Sequence, residues 1–282
     1  MIIERTVWDG LDAVLLQTET VRLVAVTAVG PRIAWFSKPE GENLLYWDRD
    51  AVRRGEWRLY GGHRVWLTRP LADESEDAYM PDNDPCAVTL LADGMDACAP
   101  ASPTRRVARG LRVRALPDGS VSVVTYARND GDMLFSCGLW APTCVPATRP
   151  IEIPLGCGDA TTTWDVVHLA IPRVFAGNVT RLDDECVVIR DNTMILIPAG
   201  RCVKRCVRGE QGIVRLRCEG FAFQKETRFQ PDARYPLRGC NLAAFIGEGN
   251  WMAELETYGG ERAVKPGETL AHEEIWRLTD DA

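Results

Sequence analysis

Hydrophobic and polar residues alternate with a period of two along most of this chain. Such alternation places successive side chains on opposite faces of a strand, so one face is apolar and the other polar. Most of these segments are also rich in β-branched residues, which favour strands. The pattern predicts strands within 20–36, 119–129, 185–191, 192–199, 212–229 and 251–258.

Turn-forming sequences separate the predicted strands, such as LPDGS at 116–120 and KPGET at 265–269. Their Pro, Asp and Gly residues are typical of hairpins and short loops. Helical periodicity is weak and limited to 48–57, where we expect one or two turns. Because no repeat or linker interrupts the chain, the sequence predicts a single all-β domain, 1–282, built from long sheets packed face to face.

Composition and charge narrow the classes of partner. The 282 residues are 46% hydrophobic, enough for a large core, and the formal net charge is -7. An acidic chain is poorly suited to nucleic acid or to an acidic membrane surface, because both need a basic patch. The basic segments 104–114 and 201–208 alternate with apolar residues, which is typical of a solvated strand face. We therefore predict no nucleic-acid or membrane partner, and the oligomeric state stays open.

The start of the chain and its cysteines predict a cytoplasmic protein. The first twelve residues, MIIERTVWDGLD, contain acidic residues and lack the apolar stretch of a signal peptide. The ten cysteines are therefore expected to be reduced thiols without a disulfide framework. Cys202 and Cys206 have a C-x3-C spacing but no matching second pair, which disfavours a zinc site. No metal and no cofactor are predicted.

The segment RLYGGHRVWLTRP, 58–70, concentrates side chains that suit a sugar. His63 is titratable, Arg64 is a fixed cation and Trp66 offers a flat apolar surface, while two adjacent glycines leave room for a ligand to approach. The alternative interpretation is a tight turn entering a strand, with Arg64 solvated and Trp66 in the core.

The segment WMAELETY, 251–258, places two carboxylates on one strand face. Alternation predicts one face directed to the core, Trp251, Ala253, Leu255 and Thr257, and an opposite face, Met252, Glu254, Glu256 and Tyr258. Neighbouring like charges should raise the proton affinity of one glutamate, which suits a general acid or base. The alternative is an edge strand with two solvated glutamates.

Several separate segments together resemble one protein family. These are VGPRIAWF, YGGHRVWL, YMPDNDP, ARNDGDMLFSCGLWAPT, MAELETYG and VKPGETLAHEEIWRL, and they occur in the order seen in galactose mutarotase-like proteins. Across nearly its whole length the chain resembles a bacterial branch of this aldose 1-epimerase-like superfamily. The resemblance implies a large antiparallel β-supersandwich that binds a carbohydrate in a shallow cleft over its concave sheet.

The resemblance also implies catalytic roles. Glu256 matches the position of the family's catalytic base, and Glu254 is its neighbour. Trp140 occupies the position where the family's histidine acid is expected. Tryptophan cannot transfer a proton, although its face can stack on a pyranose. His63 is the expected replacement acid, because its ring titrates near neutrality.

The other two histidines are weaker candidates. His168 lies in an apolar alternating stretch typical of the core, and His272 is expected near the surface of a late strand.

The expected substrate-binding residues are Arg64, Trp66, Asp82, Asn83, Trp140 and Tyr258, with Tyr79 beside them in sequence. Asp82 and Asn83 can hold sugar hydroxyls, but the same residues before proline are common turn formers. A metal bound by His63, Asp82 and Glu256 is a hypothesis that no local spacing demands.

The sequence thus favours an aldose 1-epimerase-like enzyme acting on a monosaccharide or sugar derivative by acid/base chemistry at the anomeric centre. Two alternatives stay open, because one fold hosts many chemistries. The first is a non-catalytic sugar-binding or sensing module, which Trp140 favours. The second is a lyase or isomerase of acidic sugars, which Arg64 and a base at Tyr258 or His63 would favour.

Overall fold

The all-β fold predicted from the sequence is confirmed by a computed structural model. The structure describes residues 1–50, 53–54, 57–68, 82–103, 106–156, 169–172, 174–175, 178–179 and 183–280. Within these residues, helical structure is limited to a four-residue turn at Pro236–Gly239 and a 3₁₀ turn at Glu248–Asn250. None of the helices in this part of the chain is long and apolar enough to cross a membrane.

In the described residues, the first of two large antiparallel sheets contains twelve strands. Along the sheet their order is β1-β2-β3-β4-β7-β13-β24-β23-β20-β15, and β8 and β25 pair additionally with β13. Their bounds are β1 Ile2–Trp8, β2 Leu11–Gln17, β3 Arg22–Val26, β4 Arg32–Ser37, β7 His63–Arg64, β8 Trp66–Thr68, β13 Phe135–Val145, β15 Leu169–Pro172, β20 Val203–Arg208, β23 Leu242–Ile246, β24 Ala253–Tyr258 and β25 Arg262–Val264.

Over the described ranges, the second large sheet contains ten strands in the order β18-β19-β14-β21-β22-β26-β12-β11-β10-β9. Their bounds are β9 Ala87–Leu90, β10 Gly94–Cys98, β11 Val107–Ala115, β12 Val121–Asn129, β14 Ile151–Pro154, β18 Val187–Arg190, β19 Thr193–Leu196, β21 Ile213–Arg217, β22 Phe221–Glu226 and β26 Thr269–Asp280. Each of the six segments predicted as strands contains one or two of the observed strands.

Two short hairpins complete the described strands: β5 Arg53–Arg54 with β6 Trp57–Arg58, and β16 Val174–Phe175 with β17 Asn178–Val179. The expectation of helical turns at 48–57 is therefore wrong where the structure describes it, because 53–54 and 57–58 pair as strands. Residues 51–52 and 55–56 lie outside the described residues.

The main core lies between the two large sheets. Alternate residues of each sheet point into it, including Leu139 and Leu255 from the first sheet. Phe36 of the first sheet packs against Phe223 and Trp276 of the second, with ring centroids 4.9 and 5.1 Å apart. Burying one apolar face of each sheet stabilises the sandwich.

Strand β24 follows the predicted alternation with one exception. Ala253 and Leu255 point into the main core, whereas Met252 and Tyr258 belong to a second apolar cluster on the other side of the first sheet. Trp251 was also expected in the core, but it precedes the strand and is 39% exposed. Its ring instead meets Tyr46 edge-on at 6.1 Å.

Candidate functional site

The candidate site lies on the outer face of the first sheet, the face turned away from the second sheet. Strand β13 is central here, because it pairs with β24 on one side and with β7 and β8 on the other. The register places Trp140 opposite both Tyr258 and Trp66. Pairing between distant segments thus assembles on one face residues that the sequence had separated.

Glu256 is the centre of this group and has no solvent exposure. Trp140 donates its Nε1–H to Oε2 over 2.9 Å, and the Tyr258 hydroxyl donates to the same oxygen. The Lys204 ammonium lies 2.9 Å from Oε1 and 3.1 Å from Oε2. The carboxylate is therefore surrounded by an indole donor, a phenol donor and a cation, all of which favour its charged form.

Glu254 occupies the same face two residues earlier and has its own cation. Arg64 donates from Nη2 to Glu254 Oε1 over 2.9 Å, and Cys144 donates its thiol to that oxygen over 3.5 Å. Burial raises the pKa of the Cys144 thiol, which therefore stays protonated. The two glutamates therefore do not act as an isolated pair of like charges, because each belongs to a separate ion pair, Glu254 with Arg64 and Glu256 with Lys204.

Aromatic rings form the wall beside these carboxylates. The Arg64 guanidinium lies 3.9 Å from the centre of the Trp66 ring. Trp66 meets Trp140 edge-on at 4.9 Å, and Trp140 stacks on Tyr258 at 6.0 Å. The rings hold the guanidinium in place, and Trp66, Trp140 and Tyr258 are themselves buried, at 5%, 4% and 0% exposure. Apolar rings next to charged groups are a mixture typical of small-molecule sites.

Asp82 is hydrogen-bonded to Trp66, one of these aromatic rings. It accepts a hydrogen bond of 2.6 Å from Trp66 Nε1, and Arg32 lies 3.4 Å from the same carboxylate oxygen. Arg32 also donates to the carbonyls of Leu59 and Asp82. Burial lowers the pKa of Arg32, and Asp82 opposes this shift. Asp82 therefore orients Trp66.

Asn83 is engaged with the main chain. It accepts from the Arg58 amide over 2.7 Å and donates to the Arg58 carbonyl over 3.1 Å. It also donates to Asp82 Oδ1 over 3.1 Å. These bonds match the turn-forming alternative for this segment. Tyr79 and His168 lie outside the described residues.

His63 is not part of the candidate site. In the strand register, His63 pairs with Thr143, whereas Glu256 pairs with Pro142, the residue before Thr143. Because successive strand residues point to opposite faces, His63 and Glu256 lie on opposite faces of the first sheet. His63 is fully buried in the core, where Nδ1 lies 2.9 Å from Thr143 Oγ1. The hypothesis that His63 is the acid paired with Glu256 is corrected by this geometry, and so is the metal hypothesis that joined them.

A polar cluster between the two sheets surrounds His63 instead. Lys225 lies 2.9 Å from Glu274, and both are completely buried. Thr257 donates its only hydroxyl proton to Glu274, so His272 Nε2, 2.8 Å away, must donate to the Thr257 oxygen. His272 is 7% exposed, which corrects its expected surface position.

Lys204 is the functional candidate that the sequence analysis missed. The segment 201–208 was interpreted as a solvated basic face, but Lys204 and Arg205 are only 2% and 3% exposed. Cys202, Lys204 and Cys206 alternate in sequence; Cys206 belongs to the apolar cluster of the site, and Cys202 packs against it. A lysine between two apolar residues on one strand face was the available signal.

The Glu254 and Glu256 carboxylates of the site each lie against a cation. Within the described ranges, no group of three or more His, Cys, Asp or Glu side chains is placed to hold one. No disulfide joins the cysteines that the structure describes. What the arrangement offers chemically is a buried carboxylate in contact with three hydrogen-bond donors, of which the ammonium and the phenol can transfer a proton.

Comparisons with known proteins give the fold. No protein-family model and no curated protein matches the sequence. Among solved structures, a proposed aldose 1-epimerase from Escherichia coli K12 is similar with a TM-score of 0.63 and 14% identity, over 99% of this chain and 100% of that chain. A galactose mutarotase related enzyme from Lactobacillus acidophilus is similar with a TM-score of 0.62 and 10% identity, over 95% and 98% of the two chains.

A GalM/aldose epimerase homologue from C. elegans is similar with a TM-score of 0.61 and 8% identity, over 95% of this chain and 98% of that chain. At such low identity the likeness is one of backbone architecture, and it extends along almost the entire chain. The chain has the galactose mutarotase-like fold.

Proposed function

We propose that the protein is an aldose 1-epimerase-like enzyme that acts on a neutral monosaccharide, with Glu256 as its base. The observation that carries this proposal is the set of contacts at Glu256. One carboxylate on the outer face of the sheet meets an ammonium and a phenol, each able to move a proton. The solved structures with this fold that are described as epimerases or mutarotases support the reaction class.

Anomer exchange needs a base and an acid close together. The base removes the proton from the anomeric hydroxyl, C1 becomes a carbonyl as its bond to the ring oxygen breaks, and an acid protonates the ring oxygen. Rotation about C1–C2 and the reverse steps give the other anomer. The anomeric hydroxyl oxygen and the ring oxygen are both bonded to C1, so an acid next to the base can protonate the ring oxygen. We assign this acid role to Lys204, in place of His63.

Arg64 and the aromatic wall fit the binding of the sugar. Within the described residues, Arg64 Nε and Nη1 are buried without a hydrogen-bond acceptor, so they can donate to substrate hydroxyls. Trp66 and Trp140, which are 5% and 4% exposed, would pack against the apolar face of a pyranose that enters beside Glu256. Arg64 is already paired with Glu254, and Lys204 with Glu256, so a neutral sugar fits this charge balance better than an acidic one.

The test is anomer exchange followed by NMR, starting from pure anomers of glucose, galactose and other neutral aldoses. Glu256→Gln should abolish the acceleration, and Lys204→Met should reduce it by about 10²- to 10⁴-fold, the usual contribution of a positioned proton-transfer group. Glu152→Gln is the matched control. Glu152 is also buried and paired with an arginine, Arg217, but lies in the second sheet, so its variant should retain full activity.

His63→Asn should also leave exchange unchanged, because His63 lies on the opposite face of the sheet. Unchanged exchange in Glu256→Gln would refute the role of Glu256 as base.

The second candidate function is a non-catalytic sugar-binding or sensing module. It is favoured by the complete burial of Glu256 and by the donors that already surround it. A wild-type protein that binds monosaccharides in a thermal-shift screen but never accelerates exchange would establish this alternative.

A further inference from the structure

A chain of aromatic rings lies on strands β1 and β4 and the segments beside them, away from Glu256. Trp8 meets Trp35 edge-on at 6.4 Å and Trp47 edge-on at 5.0 Å. Trp47 in turn stacks on Tyr60 with centroids 5.5 Å apart and planes 29° apart. All four rings are half-buried, so each retains exposed surface.

A shallow depression of about 520 Å³ opens over part of this aromatic chain. It is lined by Trp8, Asp9, Trp47, Asp48 and Arg49, which we call the aromatic platform. Trp47 Nε1 donates to Asp9 Oδ2 over 2.8 Å, and Arg49 Nη1 donates to the Asp9 carbonyl over 3.0 Å. The Asp9 and Arg49 side chains are 36% and 49% exposed, so they remain available to a ligand.

The backbone at Tyr60 is strained in a way that supports the platform. Its φ of 54° lies in the left-handed region, which bulky side chains rarely adopt. In this conformation the Tyr60 ring stacks on Trp47, and the Arg32 guanidinium lies 5.3 Å from its centre. Strain of this kind persists where surrounding contacts hold it, and it clusters at ligand sites.

The chemistry of the platform selects among ligands. Nucleic acid is disfavoured, because Asp9 and Asp48 repel phosphates and the chain carries a net charge of -7. The Arg49 guanidinium in the same depression opposes a methylated ammonium, whereas Asp9 and Asp48 attract it, so charge does not select this cation. A pyranose ring fits, because its C–H face packs on an indole while its hydroxyls bond to a carboxylate and a guanidinium at the ring edge.

We infer that the aromatic platform binds a neutral pyranose unit of an oligosaccharide. The assignment is independent of chemistry at Glu256, because none of the five platform residues contacts the carboxylates of that site. The protein therefore has a second carbohydrate-binding surface, open to solvent, where one ring of a longer chain can stack without entering the buried site.

The experiment uses cellotetraose and maltotetraose as probes in calorimetric titrations of the full-length protein. At least one tetrasaccharide should bind, and the indole N–H signals of Trp8 and Trp47 should shift in NMR spectra. Trp47→Ala should weaken binding about tenfold or more, whereas Trp47→Phe keeps an aromatic ring and should lose less. If Trp47→Ala lowers the melting temperature, Trp47→Phe and the wild-type NMR map still locate the ligand.

Two control variants show whether the tetrasaccharide binds at the platform or elsewhere on the protein. Phe229→Ala removes a half-buried ring stacked on Tyr235 at 5.6 Å outside the platform, and it should leave tetrasaccharide affinity unchanged. Glu256→Gln should also leave it unchanged, even if that variant loses anomer exchange.

The inference is overturned if neither tetrasaccharide binds, or if the NMR shifts lie away from Trp8 and Trp47. It is equally overturned if tetramethylammonium, and not the sugars, produces the shifts.

Discussion

Gly61 and Gly62 permit close contacts between backbone segments, and not the approach of a ligand that their sequence suggested. Both have positive φ, 105° and 72°. A Cβ at Gly61 would lie 2.3 Å from the Tyr46 carbonyl oxygen, and a Cβ at Gly62 would lie 2.2 Å from that of Ile33. The space beside each glycine is therefore filled by the backbone of a neighbouring segment, at Tyr46 and at Ile33.

Gly62→Ala should therefore lower the free energy of unfolding by about 3 kcal/mol, because it adds a backbone clash to left-handed strain. Gly220→Ala is the matched control. Gly220 has a similar φ of 74° but nothing within 4 Å of its Cβ position, so only the strain of about 1 kcal/mol remains. Urea denaturation of both variants measures the difference. Equal losses would mean that the close approach at Ile33 costs nothing.

Strands β22 and β26 carry a buried ion pair that links the two sheets. The Lys225 ammonium of β22 lies 2.9 Å from Glu274 of β26. The same ammonium donates to the carbonyls of Ala141 and Leu255, in β13 and β24 of the first sheet. The Lys225 side chain thus joins its own strand to β26 in the second sheet and to β13 and β24 in the first. Its removal leaves the buried Glu274 carboxylate without its cation.

We expect Lys225→Met to destabilise the fold by about 3–5 kcal/mol, because an uncompensated buried charge is costly. Adding Glu274→Gln should recover a large part of this loss, because the remaining charge is then removed while hydrogen bonding is kept. Urea denaturation of the single and double variants gives the coupling between the two side chains. A double variant that is no more stable than Lys225→Met would contradict the assignment of the cost to an unpaired charge.

The sandwich as a whole should lose stability in mild acid. Burial lowers the pKa of His63 to about 3 and the pKa of His272 to about 4, whereas both residues titrate near pH 6.5 in an unfolded chain. The unfolded state therefore binds more protons below pH 6.5, and stability falls from there toward pH 4. Burial alone would raise the pKa of Glu274, but nearby Lys225, the two histidines once they are protonated and the Thr257 hydrogen bond lower it to about 2, which adds a further loss between pH 4.5 and 2.

Denaturation curves between pH 7 and pH 5 should show a slope of at most about 2.7 kcal/mol per pH unit, the value for two protons. A variant with both His63→Asn and His272→Gln keeps side-chain hydrogen bonding but cannot take up these protons. Its slope should be clearly smaller over the same range, whatever its absolute stability. A slope identical to that of the wild type would assign the acid sensitivity to other groups.

Much of the fold and part of the site could be predicted from local sequence. Period-two alternation in 251–258 predicted both the strand and the shared face of Glu254, Glu256 and Tyr258, because strand geometry fixes where alternate side chains point. The helical turns expected at 48–57 were wrong where described, because a weak periodicity does not outweigh strand pairing between 53–54 and 57–58. Trp251 was misplaced because the strand begins two residues later.

The sequence by itself determined the all-β class, most strands and the chemical groups available to the protein, because these depend on the residues and their near neighbours. Tertiary structure decided which groups meet. Pairing of β7 with β13 placed His63 in the core, and pairing of β20, β23 and β24 brought Lys204 to Glu256 across 52 positions. A shift of one residue in such pairing exchanges the two faces of a strand, so no local pattern could specify the partners of Glu256.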